Sequence, residues 1–271
     1  MKLSQYKPNA ARHIMVYGPP KVGKTVSIAQ LAKFGYKLWC VDGEDSIKSV
    51  YCVDDKGQRV IPDDALENIE LIKLPDNSSY PIMVETVLKI VKGGDVRICH
   101  AHGKVDCPKC KKEAPDNFTA INVDKFGPKD ILWLESGTQL SNSAMAHIKQ
   151  KEIQANKEDI KPDWDDYAKQ GFLLDRIFSI VQSAPWNCIV TSHEAMVEME
   201  DKRQRIVPIL GTSNFSKTCA KYFDDVVYCD KINNKLKQFS SATHANNIIT
   251  GSRTGKMVEK EGSRGLIELF E

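Results

Sequence analysis

The stretch Gly18-Pro19-Pro20-Lys21-Val22-Gly23-Lys24-Thr25 constrains what this chain can fold into more than any other. It satisfies G-x-x-x-x-G-K-[ST], the phosphate-binding P-loop. The apolar run His13-Ile14-Met15-Val16-Tyr17 before it reads as a buried strand, and Val26-Ser27-Ile28-Ala29-Gln30-Leu31-Ala32 after it as a helix. Strand, glycine loop and helix are the context in which such a loop works. Glycines at both ends let the backbone turn tightly around a phosphate. The loop amides and the positive helix N-terminus then hold the anion. In this pattern Lys24 reaches the β- and γ-phosphates of a nucleotide and the Thr25 hydroxyl ligates Mg²⁺.

The rest of the composition narrows the field. At 271 residues and 41% apolar, the chain suits one α/β domain with an insertion, or two small domains. A net charge of +2 is too small to argue for nucleic acid by itself. No apolar run reaches the length of a membrane span, and Met1-Lys2-Leu3 runs into polar residues and Pro8, so no membrane partner and a cytoplasmic location are expected. Eight cysteines in such a chain argue for thiols or metal ligands over disulfides. There is no internal repeat.

A second strand is expected over Tyr36-Lys37-Leu38-Trp39-Cys40-Val41, after a helix stop at Gly35. It runs into Asp42-Gly43-Glu44-Asp45-Ser46, placing acids at a strand's C-terminal end, the edge where open α/β sheets bind ligands. One of these carboxylates can polarise an attacking water, or the turn simply caps the next helix through Asp45 or Ser46. Ile69–Leu74 reads as a strand. A helix starting at Pro81 follows, with Val84, Val87, Leu88 and Val91 at helical spacing and Gly93-Gly94 as its stop.

The α/β rhythm then breaks at Cys99-His100-Ala101-His102-Gly103-Lys104-Val105-Asp106-Cys107-Pro108-Lys109-Cys110. A C-x2-H-x4-C-x2-C arrangement offers four zinc ligands within a dozen residues, and Cys-Pro-Lys-Cys forms a tight knuckle. Cys99, His102, Cys107 and Cys110 are the chosen set, with His100 as substitute for His102, in an insertion over residues 98–118. Four protein ligands leave no open position, so the Zn²⁺ role is structural.

Asp130-Ile131-Leu132-Trp133-Leu134-Glu135-Ser136 is an apolar strand ending in an acid and a hydroxyl, the Walker B pattern, in which Glu135 orients the Mg²⁺ water shell. A helical region over about 138–156 carries Lys149, Lys151, Glu152, Lys157 and Glu158 as a solvated face. Another helix opens at Trp164, with Phe172, Leu173, Ile177, Ile180 and Val181 as its apolar stripe. Trp186–Thr191 reads as a strand ending in Ser192-His193-Glu194, where His193 is either structural or a γ-phosphate sensor. Residues 197–222 read as mobile loop sequence with phosphate-contact potential, or as an ordinary solvated hairpin. Paired strands are expected over 224–229 and 236–239 with Asn233-Asn234 between them, and a last strand over Asn247–Thr250. The apolar tail Leu266–Phe270 docks on a neighbour or on its own core.

Together these stations resemble the RecA-like ATPase core over about residues 12–256, and more closely the phage-encoded nucleotide-binding proteins of that class that act as single-strand-annealing recombination ATPases. Val41-Asp42-Gly43-Glu44 is similar to the strand end where RecA-like proteins place a catalytic glutamate, which implies Glu44 as the base. Leu134-Glu135-Ser136 resembles the apolar-Asp-Ser Walker B, with Glu for the usual Asp. Asp163-Trp164-Asp165, Thr191-Ser192-His193-Glu194 and Phe223-Asp224-Asp225-Val226 resemble segments of the phage group, and the second implies His193 as sensor. Ser252-Arg253-Thr254-Gly255 resembles a Lys-x-Arg-x-Gly segment reaching a neighbouring subunit's nucleotide, which implies Arg253 as a finger acting in trans, with Gly251 where the Lys would be.

The resemblance implies one RecA-like domain over 1–271 that binds ATP and Mg²⁺ through Gly18 to Val26, hydrolyses ATP with stimulation by single-stranded DNA, and acts as a homo-oligomer. Its DNA contacts would be Lys202, Arg203, Arg205 and Lys217, and its location the cytoplasm, that of the host if phage-encoded. A replicative helicase or helicase-loader ATPase shares the same core. A nucleotide-gated interaction module recruiting a partner through the zinc loop is the rival outside enzymes.

Overall fold

The computed structural model describes residues 10–155, 160–232, 235–239, 247–256 and 265–271. Its centre is a sheet whose inner strands are buried on both faces, which is why they read as unbroken apolar runs and not as alternating ones. In chain order the elements are β1 (His13–Tyr17), α1 (Lys24–Ala29), β2 (Lys37–Asp42), α2 (Asp63–Leu66), β3 (Ile69–Lys73), α3 (Met83–Val91), β4 (Val96–Cys99), α4 (Pro108–Glu113), β5 (Phe118–Ile121), β6 (Asp130–Glu135) and α5 (Gly137–Ile148). Then come α6 (Gln150–Gln154), α7 (Trp164–Ser183), β7 (Asn187–Ser192), β8 (Glu194–Glu198), β9 (Gln204–Pro208), α8 (Ser213–Thr218), β10 (Asp225–Ile232), β11 (Lys235–Phe239) and β12 (Gly251–Ser252).

The main sheet runs β11-β10-β1-β7-β6-β2-β3, with β12 on β10. The six strands from β10 to β3 are parallel, while β11 and β12 are antiparallel to β10. This is an α/β fold with a mostly parallel central sheet. Alternate side chains of each strand feed two cores. Met15, Tyr17, Leu132, Leu134 and Val190 pack with α3, α5 and α7 on one face. Ile14, Val16, Ile131, Trp133 and Ile189 pack with α1 on the other. The apolar tail closes that second face: Leu266, Ile267 and Leu269 are buried on the chain's own core and Phe270 meets Tyr36 at 5.1 Å.

Local chemistry sets several boundaries. Gly35 ends the first helical segment in the left-handed region, φ 77°. The α3 helix starts two residues after Pro81, where Asp76 Oδ1 accepts from Met83 N at 2.7 Å. Asp163 caps α7 in a capping box with Asp166.

Four expectations need correction. Phe172 is 73% exposed: the buried stripe of α7 is Gln170, Leu174, Ile177, Phe178 and Val181, and Phe172 lies about 200° around the helix from Leu174. Lys149 is buried, not solvated, because Asp166 (2.9 Å) and Glu152 (2.7 Å) meet its ammonium; Lys157 and Glu158 lie outside the described residues. Of the two readings of residues 197–222 the hairpin holds, as β8–β9 followed by α8, and the mobile loop does not. Asn247–Thr250 forms no strand, because Ile206 N donates to Asn247 O and Ile249 N to Ile206 O, tying the segment to β9 by a single bridge. Asn233 and Asn234 lie outside the described residues.

Candidate nucleotide site and metal centre

The parallel strands β1, β2, β6 and β7 deliver their C-terminal ends to one edge of the sheet. Gly18 leaves β1 at φ 148°, so close to β10 that an added Cβ would lie 2.1 Å from Cys229 O. Only glycine fits there. Lys21 and Gly23 also take positive φ, and Gly23 stands at the N-cap of α1, its carbonyl accepting from Ser27 N at 2.9 Å. Val22 packs into the core beneath the loop while Pro20 and Lys21 are exposed. Lys24 is buried, and its ammonium donates to Gly18 O (2.9 Å) and Pro19 O (2.7 Å), arching over the loop. Burial pushes its pKa below the usual lysine value.

Thr25 Oγ1 donates to Glu135 Oε1 at 3.1 Å. The Glu135 carboxylate is enclosed, and its other oxygen accepts from Trp133 Nε1 (2.9 Å) and Thr191 Oγ1 (2.8 Å). Burial raises its pKa, against these donors. Trp133 lies two residues back on the same strand face, and Thr191 on the neighbouring β7. A buried hydroxyl and carboxylate converging beside the P-loop form an all-oxygen pair suited to Mg²⁺, and the extra methylene of Glu over Asp is held by the indole and the threonine. The Glu135–Ser136 peptide is cis.

Of the acids at the end of β2, only one faces the loop lysine. Asp42 is fully buried and accepts from the amides of Glu44 (2.9 Å) and Ile47 (3.2 Å), so it folds the turn. Asp45 pairs with Lys48 and Lys73; it occupies the N-cap position of the following turn but makes no side-chain cap bond there. Glu44 is half-buried. Ser136 Oγ donates to its Oε1, and its Oε2 lies 3.7 Å from His193 Nε2. Burial alone would raise the Glu44 pKa, but the His193 and Ser136 contacts and the Lys24 charge hold it below the ordinary value. His193 is fixed through its backbone: its amide donates to Thr138 Oγ1 at 3.0 Å and its carbonyl accepts from Ile209 N at 2.8 Å. A cleft of about 830 Å³ opens beside Glu44, lined by Lys73, Asp76, Asn77 and Gln139.

Sequence reading found Lys24, Thr25, Glu44, Glu135 and His193, and the fold gathers them at this edge. It missed Trp133, Ser136, Thr138 and Thr191. The polar pair Ser136 and Thr138, straddling the start of a helix at an acidic strand end, was the available signal. Arg253 is not part of the cluster. Its amide donates to Asp224 O and its guanidinium reaches Asp224 Oδ1 (3.4 Å) and Lys221 O. That is level with His13, the first residue of β1, about 15 Å from the P-loop across the strand length.

The suggested DNA contacts are dispersed. Lys202 and Arg203 lie in the β8–β9 turn, with Arg203 3.6 Å from Asp201; Arg205 lies on β9, and Lys217 on α8.

The cysteine cluster forms a separate hairpin. β4 and β5 pair antiparallel from Val96↔Ile121 to Cys99↔Phe118, so the unit is wider than the 98–118 read from sequence. Cys99, His102, Cys107 and Cys110 place their donor atoms within 4.8 Å of one another, with His102 Nδ1 3.1 Å from Cys110 Sγ. Three thiols and an imidazole at this spacing could hold a tetrahedral Zn²⁺. The amides of Cys110 and Lys109, at the start of α4, lower the Cys107 thiol pKa. His100 is not the substitute ligand: it follows the end of β4 and its Nε2 meets Thr119 Oγ1 at 2.9 Å. Tyr80 OH donates to His102 O and Thr86 Oγ1 to Gly103 O, tying the hairpin to α3 and the segment before it.

No curated protein resembles the chain closely enough to count as a relative. Among solved structures it is similar to a prototypical ATPase from the type III secretion system of pathogenic bacteria, at 11% identity over 82% of this chain and 52% of that one, with a TM-score of 0.40. It thus spans about half the length of that protein. It is also similar to the RadB recombinase, at 13% identity over 84% of this chain and 86% of that one, with a TM-score of 0.39. No helix among the described residues is long and apolar enough to cross a membrane. A sequence model of the AAA domain matches residues 10–262, and the chain therefore belongs to the AAA domain family of P-loop ATPases.

Proposed function

We propose that the protein is a Mg²⁺-dependent ATPase that acts on single-stranded DNA as an oligomer, in annealing or strand exchange, of the phage-encoded kind its motifs resemble. The observation that carries the ATPase reading is the meeting of Lys24, Thr25, Glu135, Glu44 and His193 at one sheet edge. In this reading the loop from Gly18 to Val26 and the Lys24 ammonium hold the triphosphate. Thr25 and Glu135 hold Mg²⁺, which when bound neutralises charge building on the phosphates. Glu44 takes the proton of the attacking water, and His193, 3.7 Å away, senses the γ-phosphate.

Arg253 cannot serve its own protomer from the far edge of the sheet, and its half-exposed guanidinium supports a role in a neighbour's site. Lys202, Arg203, Arg205 and Lys217 supply the cationic contacts to DNA. The whole chain acts as one domain, and the Zn²⁺ hairpin is a structural insertion in it.

The test is steady-state ATP hydrolysis with and without single-stranded DNA, with Lys24→Ala as the blank. Stimulation that vanishes in the blank is the expected result. Robust hydrolysis indifferent to DNA overturns the DNA reading and leaves an ATPase with another partner.

A further inference from the structure

The Glu44 carboxylate is not free to choose its direction. Ser136 is buried at the N-cap of α5, and its Oγ accepts from Gln139 N at 3.1 Å. With that lone pair occupied, the hydroxyl proton points at Glu44 Oε1. The result is a polarised chain, Gln139 N–H to Ser136 O–H to carboxylate, that begins in the first turn of a helix. The same helix turn supplies Thr138, which fixes the His193 amide. One helix turn thus holds both Glu44, through Ser136, and His193, through Thr138. Oε1 is tied down, and Oε2 is left on the His193 side.

We infer that Ser136 is the positioning residue of the proposed base: it clamps Glu44 Oε1 so that Oε2 is the oxygen that receives the water proton. This rests on the ATPase reading above with Glu44 as base. His193 from the end of β7 and Lys24 from α1 both favour the ionised form of Glu44, and Asp45, Lys73 and Asp76 line the cleft beside it. The Ser136 donor acts in the same direction. Its loss leaves burial less opposed, so the carboxyl protonates at higher pH.

The experiment is the pH dependence of kcat and of KM for ATP in wild type, Ser136→Gly, Ser136→Thr and Glu44→Gln. Glycine is used because it serves nearly as well as serine at an N-cap while removing the hydroxyl. We expect Ser136→Gly to lose about ten-fold in kcat, with KM held within about two-fold, because the lost contact acts on the base and not on nucleotide binding. Its acid limb moves to higher pH, and Ser136→Thr restores both. A glycine variant with unchanged kcat and an unmoved acid limb overturns the inference. If Glu44→Gln hydrolyses ATP like wild type, it is the assignment of Glu44 as base that falls.

Discussion

Thr25 and Glu135, hydrogen-bonded at the nucleotide edge, are 110 residues apart in the chain. The four zinc-ligand candidates lie within residues 99–110. The nucleotide edge is held by a sheet buried on both faces, so its polar groups keep their places through the packing behind them. At its ligand end the hairpin clusters Cys99, Cys107 and Cys110 with Phe118 against them, while Val96, Ile98 and Ile121 join the main core. The difference teaches that one site is assembled by the whole sheet, whereas the other draws its four candidate ligands from one short segment.

The sharpest way to separate the two is to strike each chemistry alone. Glu44→Gln is expected to cut ATP turnover by about 10²- to 10⁴-fold while nucleotide binding and Zn²⁺ content stay as in wild type. Equilibrium binding and metal analysis beside the rate check this, and a loss of zinc would mean the two regions are not independent. The reciprocal change, Cys110→Ala, is expected to abolish stoichiometric Zn²⁺ and open residues 100–117 to protease, while turnover falls by less than about ten-fold. A collapse of turnover to the Glu44→Gln level would make the hairpin part of the site. The smallest effect belongs to His193→Gln. The histidine helps hold the Glu44 pKa down, so its loss lets burial raise that pKa, and the acid limb of kcat should move up by less than about one pH unit. A shift to lower pH would show that His193 does not support the ionised carboxylate.

The P-loop, the strands and the zinc set were legible because their signals are local: a glycine spacing, an apolar run, a thiol pattern. Between His102 and His100 the sequence left the choice open, and only the contact of His100 with Thr119 separates it from the cluster of Cys99, His102, Cys107 and Cys110. What escaped depended on contacts across the sheet. Trp133 reads as an apolar strand residue, and only the β6–β7 pairing shows its indole sharing a carboxylate with Thr191. Lys149 reads as surface until Asp166, 17 residues on, packs over it. Phe172 has the hydrophobicity of a core residue but the wrong phase. For residues 197–222 the charges and turn formers left loop and hairpin both open, and the β8–β9 pairing of Met196 with Ile206 and Ala195 with Val207 decides for the hairpin.

The indole of Trp133 donates to the same Glu135 that accepts from Thr25. It is fully buried, whereas Trp164, at the start of α7, is 90% exposed. The protein therefore carries a buried indole hydrogen-bonded to the carboxylate proposed to hold Mg²⁺. A change in charge at Glu135 acts directly on a hydrogen bond of that ring. With Trp39, Trp164 and Trp186 replaced by phenylalanine, the chain becomes its own sensor, reporting occupancy of the loop without a label and without waiting for turnover.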